Sequence, residues 1–333
     1  MHKIMNRNEK IDFFKGVLMF GVIWGHMITN MLVGAPNNIA VHWIMRTYDM
    51  PLFMLISGYF LHFSLAKKDL CNILVDKVTT ILVPTLIWDL AISYGRSLGA
   101  LYFLWAIFLS SVTLSIITKC FRRNDIRILI CVLITVLLNF LPWRLCNLSY
   151  LFPYFALGYF VNEYKNNLFD NVYVTCVGGY IVLLCFWKID HTIWSTGTFF
   201  KELTAYNIGI VIFRYLIGIV GSIAFISFFN IIYEYFVKHR TKLFDFLVTT
   251  GKETLPIYIL HIFVICKLMK NIMQMVTEWI GYNPLIVNER LFGYVITPVL
   301  SFVVLYITYK IAILTKTNKW TKWLFGFKLS SNK

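Results

Sequence analysis

Residues 7–27 read RNEKIDFFKGVLMFGVIWGHM, and the segment becomes almost continuously apolar after Lys15. It has the hydrophobic character of a membrane span, yet it carries Asp12, Lys15 and His26. An ionisable side chain that faces lipid is costly, so such residues usually face a protein interior or a wet cavity and serve a pathway or a reaction. The segment therefore predicts a transmembrane helix with a functional face.

The composition of the whole chain is that of a polytopic membrane protein. Its 333 residues are 59% hydrophobic and 17% aromatic, and only 14% are charged, which is unlike a soluble domain. Lys and Arg outnumber acidic residues by 31 to 16, but they occur in short clusters between apolar runs and not on one amphipathic face. The positive charge therefore indicates membrane topology, and we expect no nucleic-acid partner.

Apolar runs near the length that crosses a bilayer predict an all-α transmembrane bundle of about ten spans. With the N-terminus inside, the tails and loops on the cytoplasmic side hold 20 of the 31 Lys and Arg residues, and the outer loops hold six. Because cytoplasmic loops carry the excess of Lys and Arg, we expect both termini in the cytoplasm. No linker divides the chain, so residues 1–333 are expected to form one membrane domain. The predicted spans are 11–33, 48–66, 78–95, 99–118, 128–142, 148–162, 171–187, 207–236, 253–275 and 291–314.

The polar residues of the first span share one helical face. On a straight helix Asp12 and His26 point about 40° apart, and Lys15 lies within about 20° of His26. The rise from Asp12 to His26 is about 21 Å, which is too long for a hydrogen bond. This face suits a long substrate, such as an acyl thioester with a phosphorylated head at the cytoplasmic end. The alternative is a local ion pair between Asp12 and Lys15, with His26 bonded to a backbone carbonyl.

The opening segment is the first of six that carry recognisable motifs. The segments are RNEKIDFFKGVLMFGVIWGH at 7–26, YDMPLFMLISGYF at 48–60, VPTLIW at 83–88, YFLWAIF at 102–108, LFPYFALGYF at 151–160 and GKETLPIYILH at 251–261. They resemble, in this order, the signature motifs of the acyltransferase-3 family of integral membrane O-acyltransferases. The match at 102–108 departs from the family's W-F-L pattern, because Tyr102 comes first and the tryptophan is displaced to Trp105.

The resemblance implies a helical bundle that transfers an acyl group, commonly acetyl from acetyl-CoA, to a hydroxyl of a sugar or related acceptor. The opening motif is also similar to that of the fucose-acetylating branch of the family. By this resemblance His26 matches the histidine implicated in catalysis, and Arg7, Asp12 and Lys15 match the polar set before it. We therefore expect a multi-pass enzyme of the bacterial inner membrane that O-acetylates a cell-envelope sugar or polysaccharide. Its partners would be acyl-CoA, a glycan that is free or lipid-linked, and membrane lipid.

Transfer of an acyl group from a thioester to a hydroxyl needs a base, stabilisation of the oxyanion and positioning of two substrates. Histidine titrates near neutral pH, so we expect His26 either to deprotonate the hydroxyl or to carry the acyl group briefly. His261 matches another family position, and we assign it to catalysis together with Asp12. A buried structural histidine is the alternative for His261.

Arg214 is a cation within a predicted span. We assign it, with Arg7 and Lys15, to the binding of the acyl-CoA donor, where it would meet a phosphate or the oxyanion. The alternative is a side chain that snorkels to the membrane surface or pairs with Asp89 or Glu202.

Small residues within the spans predict close helix packing. Ser57 and Gly58 lie in ISGY without the G-x-S-x-G elbow of a nucleophile, so we expect them to let two helices approach. Gly21 and Gly25 form a G-x-x-x-G pair on the first helix and are expected to do the same.

The sequence also bears on metal binding and on one other class of protein, a transporter. The histidines and cysteines form no H-x-x-x-H or C-x-x-C pair, so no metal site is predicted. Intramembrane Asp, Lys, His and Arg also occur in transporters, and a transporter or flippase of a lipid-linked sugar is the alternative function. A transporter predicts paired repeats with broken helices in both halves, and the sequence shows no such correspondence.

Overall fold

The fold is described from a computed structural model that defines residues 2–31, 39–94, 99–140, 146–164, 168–188, 191, 204–281 and 289–327. Within these ranges the side chains of residues 2–8, 146, 319 and 320 are outside the description. The described part of the chain is helical and contains no strand, as predicted.

Fifteen α-helices make up most of the described part of the chain. Three of the helical runs contain a π-helical turn, at Val78–Leu82, Val264–Met269 and Phe292–Ile296. The α-helices are α1 His2–Met31, α2 Ala40–Lys67, α3 Leu70–Lys77, α4 Val83–Ser93, α5 Tyr102–Cys120, α6 Asn124–Leu138, α7 Cys146–Glu163, α8 Val174–Cys185, α9 Ala205–Lys238, α10 Lys242–Lys252, α11 Thr254–Phe263, α12 Lys270–Ile280, α13 Glu289–Leu291, α14 Thr297–Thr317 and α15 Lys319–Lys322.

Seven helical runs in the described residues are long and apolar enough to cross a membrane, by length and composition. They confirm a multi-pass helical membrane protein, and each coincides with a predicted span. Three of these runs each contain one of the π-helical turns and remain helical on both sides of it. The seven runs are Glu9–Met31, Ala40–Lys67, Leu70–Ser93, Tyr102–Cys120, Ala205–Lys238, Thr254–Ile280 and Glu289–Thr317.

The remaining predicted spans fall on α6, α7 and α8, which are shorter or more polar. Helix α6 has 15 residues and α8 has 12, so they extend over about 22 and 18 Å, less than the 30 Å of a bilayer core. Helix α7 has 18 residues, but Pro153, Asn162 and Glu163 lower its apolar character. The predicted number of spans therefore stays a prediction.

The chain folds into two compact units, and each is built from separated segments. The first unit comprises Met1–Arg46, Val83–Leu101 and Tyr233–Lys333. The second comprises Thr47–Leu82 and Tyr102–Ile232. Each unit therefore depends on contacts between helices that are distant in the sequence.

In the first unit, α1 packs against α10, α11 and α14. Two glycines make the approach to α10 possible. A Cβ on Gly16 would lie 2.0 Å from the carbonyl oxygen of Leu247, and a Cβ on Gly251 would lie 1.7 Å from that of Asp12. Any larger residue at Gly16 or Gly251 would force the two helices apart, which is why small residues are common where helices touch.

A tryptophan joins α1 to the last long run of the chain. The indole Nε1 of Trp24 donates a hydrogen bond to the Thr297 hydroxyl at 2.8 Å and lies 3.2 Å from the carbonyl oxygen of Gly293. A tryptophan N–H in an apolar setting needs such a partner. The bond therefore fixes the rotation of α1 about its own axis in the segment that carries His26.

In the second unit, α2 and α7 approach closely through a reciprocal pair of glycines. A Cβ on Gly58 would lie 1.8 Å from the Phe155 carbonyl oxygen, and a Cβ on Gly158 would lie 1.9 Å from that of Leu55. The hydroxyl of Ser57 donates to the carbonyl of Phe53 within its own helix, at 2.8 Å. The predicted packing role of Gly58 is confirmed.

The same prediction was wrong for the G-x-x-x-G pair of α1. No atom of the described residues lies within 4 Å of a Cβ built on Gly21 or Gly25. The sequence spacing places the two glycines on one face, but the face that packs against α10 is the one that contains Gly16. A small-residue pattern does not by itself reveal which face a neighbouring helix covers.

Candidate active site

Helices α1 and α11 bring two predicted site residues together within the first unit. The ring centroids of His26 and His261 are 5.3 Å apart, and the ring planes are inclined by 52°. His261 is fully buried, with 0% of its surface exposed, whereas His26 is partly exposed. A substrate could therefore reach His26, while His261 lies next to it in the protein interior.

The surroundings of His261 define which of its nitrogens can act as a base. Its Nδ1 lies 3.1 Å from the carbonyl oxygen of Ile257, and because a carbonyl only accepts, we assign the ring proton to Nδ1. Nε2 then carries the lone pair. It is buried and has no hydrogen-bond partner among the residues described. A buried polar atom without a partner is rare and calls for an explanation, and a proton or a substrate group would satisfy it.

Asp12 and Lys15 form the local ion pair that was the alternative expectation for them. The Lys15 ammonium lies 2.6 Å from Asp12 Oδ1, and the two side chains are 18% and 15% exposed. Along α1 Asp12 is about 21 Å from His26, so the structure does not bring Asp12 to the two imidazoles. Arg7 lies on the same helix, but its side chain falls outside the description.

Three further polar side chains, Thr29, His42 and Arg46, meet one helical turn beyond His26. They were not among the site residues predicted from the sequence. The hydroxyl of Thr29 lies 2.8 Å from His42 Nε2. Arg46 donates from Nε to His42 Nε2 at 3.1 Å and from Nη2 to Thr29 Oγ1 at 3.3 Å. Thr29 also contacts the Gly25 carbonyl at 2.9 Å. A cation is thus held by two side chains close to His26.

The signal for this cluster was present in the sequence. Residues 34–47 were interpreted as an outer loop of mixed composition, whereas α2 already begins at Ala40. His42 and Arg46 are four residues apart, the spacing at which side chains on one helix meet. Recognising the helix start would have placed them together, although not beside Thr29.

Arg214 lies in the second unit, on α9, and only 3% of it is exposed. Its guanidinium carbon is 4.3 Å from the ring centroid of Tyr150. Asp89, one candidate partner, belongs to the first unit and accepts the backbone N–H groups of Gly99 and Leu101 at 2.6 and 3.2 Å. The other candidate partner, Glu202, lies outside the described residues.

A metal ion has no evident place in the described ranges, where no group of three or more His, Cys, Asp or Glu side chains could hold one. The polar groups that do converge are imidazoles, a guanidinium and a hydroxyl. These groups can move protons and stabilise negative charge on oxygen, which is the chemistry of acyl transfer.

Comparisons with known proteins agree with this chemistry. A family model described as "Acyltransferase domain" matches residues 8–314. Nodulation protein NolL of Sinorhizobium fredii is 25% identical over 185 residues, which cover 46% of this chain and 48% of the relative. Nodulation protein NolL of Mesorhizobium japonicum is 28% identical over 183 residues, with the same coverage. The chain thus spans about half the length of these curated relatives. No solved structure matches.

Proposed function

Because the chain belongs to the acyltransferase-3 family, we propose that it is a membrane O-acyltransferase that moves an acetyl group from acetyl-CoA to a hydroxyl of a cell-envelope sugar or glycan. The observation that carries the proposal is the approach of His26 and His261 within 5.3 Å in a membrane-embedded unit. We propose further that residues 1–333 act as one domain of the bacterial inner membrane, with about ten spans on the length rule and both termini cytoplasmic.

In the proposed reaction His26 is the general base. Its free ring nitrogen accepts the proton of the acceptor hydroxyl as the hydroxyl oxygen attacks the thioester carbonyl carbon. The tetrahedral intermediate then collapses, the carbon–sulfur bond breaks, and the CoA thiolate takes the proton from the imidazolium. The lone pair of His261 Nε2 faces no competing donor in the described residues, so it can orient His26 or share its proton. General acid–base catalysis of this kind contributes about 10²–10⁴-fold to a rate.

Arg46 is proposed to stabilise the negative charge that develops on the carbonyl oxygen. It is held by His42 and Thr29, and Thr29 follows His26 by three residues on α1. A cation fixed before the reaction begins stabilises an oxyanion without reorganisation. Arginine keeps its charge in an apolar setting and presents several donors in a fixed plane, which suits this task.

Arg7 and Lys15 are proposed to bind the phosphorylated head of the donor at the other end of α1. The distance from Lys15 to His26 along the helix is about 17 Å, which leaves room for an extended thioester arm between them. Asp12 bonds Lys15 at 2.6 Å, so we now propose that Asp12 positions this lysine and does not touch the reacting atoms.

The test is acetyl transfer from radiolabelled acetyl-CoA to envelope glycans in membranes that contain the protein or a variant at matched abundance. We expect His26→Ala and His261→Ala to lose at least about 100-fold in rate. His239→Ala is the matched control, because His239 is an exposed histidine in the turn after α9 and should retain full activity. Unchanged transfer by His26→Ala would remove it as the base, and no label with the unmodified protein would refute the proposed donor or acceptor.

A further inference from the structure

Arg214 is surrounded by three tyrosines of the second unit. Tyr150 and Tyr215 stack with ring centroids 6.0 Å apart, and Tyr154 meets Tyr150 edge to face at 5.2 Å. Tyr150 and Tyr154 are buried, with 6% and 1% of their surfaces exposed. The guanidinium lies over the face of Tyr150, as a cation does when an aromatic ring stabilises it. We call Arg214 and these tyrosines the Arg214 cluster.

Two of the tyrosine hydroxyls bond the backbone, whereas the Tyr150 hydroxyl bonds the Arg214 side chain itself; a neutral phenol does not neutralise the guanidinium. Tyr154 donates to the carbonyl of Arg214 at 3.2 Å, and Tyr215 donates to the carbonyl of Ser149 at 2.9 Å. Gly218 permits this arrangement, since a Cβ there would lie 2.2 Å from the Tyr154 hydroxyl. The rings are therefore locked in place around the cation before any ligand arrives.

None of the ion pairs among the described residues involves Arg214. Asp49 is an acidic residue of the same unit, and its Oδ1 accepts the backbone N–H of Met50 at 2.6 Å. Burying a charge without an opposite charge is expensive, and a cation–π contact offsets only part of that cost. A buried arginine held in this way is a site prepared for an anion.

We infer that the Arg214 cluster binds an anionic group, a carboxylate or a phosphate, of the glycan acceptor. The planar guanidinium fork pairs with two oxygens of either group. The inference rests on the proposed transfer to a glycan, and it names a feature of that acceptor: a negative charge near the hydroxyl-bearing sugar. An acidic sugar and a sugar phosphate are the two sources of such a group.

The predicted topology favours the acceptor over the donor as the ligand of this cluster. Arg214 is about 14 Å from the start of α9, and the segment before that helix, 188–206, is predicted on the outer side. Tyr150 is near the start of α7, which also follows a predicted outer segment. On this predicted topology the cluster lies in the outer half of the membrane, whereas the phosphates of the proposed acyl-CoA donor would enter from the cytoplasm. We therefore assign an anionic group of the acceptor to Arg214, and not the donor phosphate that was predicted from the sequence.

Binding of small anionic probes to the purified full chain tests the inference. The probes are glucuronate, glucose 1-phosphate and neutral glucose, and the readout is the melting temperature in detergent. We expect glucuronate or glucose 1-phosphate to raise the melting temperature while glucose does not, and the effective anion identifies the source. Arg214→Gln should abolish the rise, and Arg214→Lys, which keeps the charge without the fork, should weaken binding at least tenfold. The matched control Arg240→Gln removes an exposed arginine that pairs with Asp245 and should respond like the unmodified protein.

A rise that persists unchanged in Arg214→Gln, or no rise with either anion, would overturn the inference. If the Arg214 variants do not fold, inhibition kinetics of the unmodified protein decide. The effective anion should compete with the acceptor and not with acetyl-CoA, and competition with acetyl-CoA would move the site to the donor. The binding measurement needs no turnover, so loss of the response in Arg214→Gln without any acetyl transfer would refute the proposed function and leave the anion site standing.

Discussion

Replacing Gly251 by alanine tests how closely the contact between α1 and α10 controls the first unit. The new Cβ would lie 1.7 Å from the carbonyl oxygen of Asp12, whereas real contacts of this kind begin at 3.0 to 3.4 Å. The obstacle is backbone, so it cannot rotate away as a side chain can. The two helices must separate locally by about 1.3 to 1.7 Å, the difference between those distances.

The separation has a cost in stability and a cost in rate. Alanine is the better helix former by about 1 kcal/mol, but forcing an extra group into a packed contact typically costs about 1–3 kcal/mol. We therefore expect a net loss of stability. Because α1 carries His26 and α10 leads directly into the helix of His261, a displacement above 1 Å should also lower the transfer rate, by about 100-fold for a misplacement of that size.

The assay compares Gly251→Ala with Gly21→Ala, which makes the same chemical change on α1 where no described atom lies within 4 Å. We expect Gly251→Ala to melt at a lower temperature than the unmodified protein and to lose acetyl transfer, and Gly21→Ala to keep both. Equal melting temperatures for the two variants would refute the close approach of α1 and α10.

Two further predictions concern side chains that hold the first unit and its cation. Trp24→Phe removes the donor to the Thr297 hydroxyl and the Gly293 carbonyl, so the melting temperature should fall by the equivalent of about 1–3 kcal/mol; an unchanged value would show that these groups find other partners. Arg46→Lys keeps the charge but loses the guanidinium group that bonds His42. The kcat for acetyl transfer should therefore fall at least about tenfold, because an oxyanion donor is misplaced, whereas KM for acetyl-CoA should not change. An unchanged kcat would exclude Arg46 from oxyanion stabilisation.

The long apolar helices were predictable because their signal is composition over a bilayer's length. All seven long runs coincide with predicted spans. Helix α6 has the predicted length but begins four residues earlier, at Asn124, and α8 is shorter than its predicted span, since a continuous apolar sequence does not show where a helix begins or ends. The π-helical turns were not anticipated, because a single widened turn leaves the overall hydrophobic pattern of a membrane helix intact.

The two histidines of the candidate site could be named from the sequence, but their contact with each other could not. Family motifs pointed to His26 and His261 separately, but no local periodicity relates two residues so distant in the sequence. Thr29 and Arg46 were missed for the same reason, since their meeting depends on how α1 and α2 are arranged in space. Helical geometry predicts that Asp12 shares a face with His26, but the length of that helix separates it from the two imidazoles.

The bond from Trp24 to Thr297 joins residues 273 positions apart, and this separation sets an order of events during synthesis. At about 5–20 residues per second, the ribosome delivers Thr297 about 14 to 55 s after Trp24. The second unit ends at Ile232, so all of its segments are made before α10, α11 and α14 exist. Helix α1 is therefore made before His261 and Thr297 have been synthesised. A nascent chain released before α14 lacks the threonine that bonds Trp24.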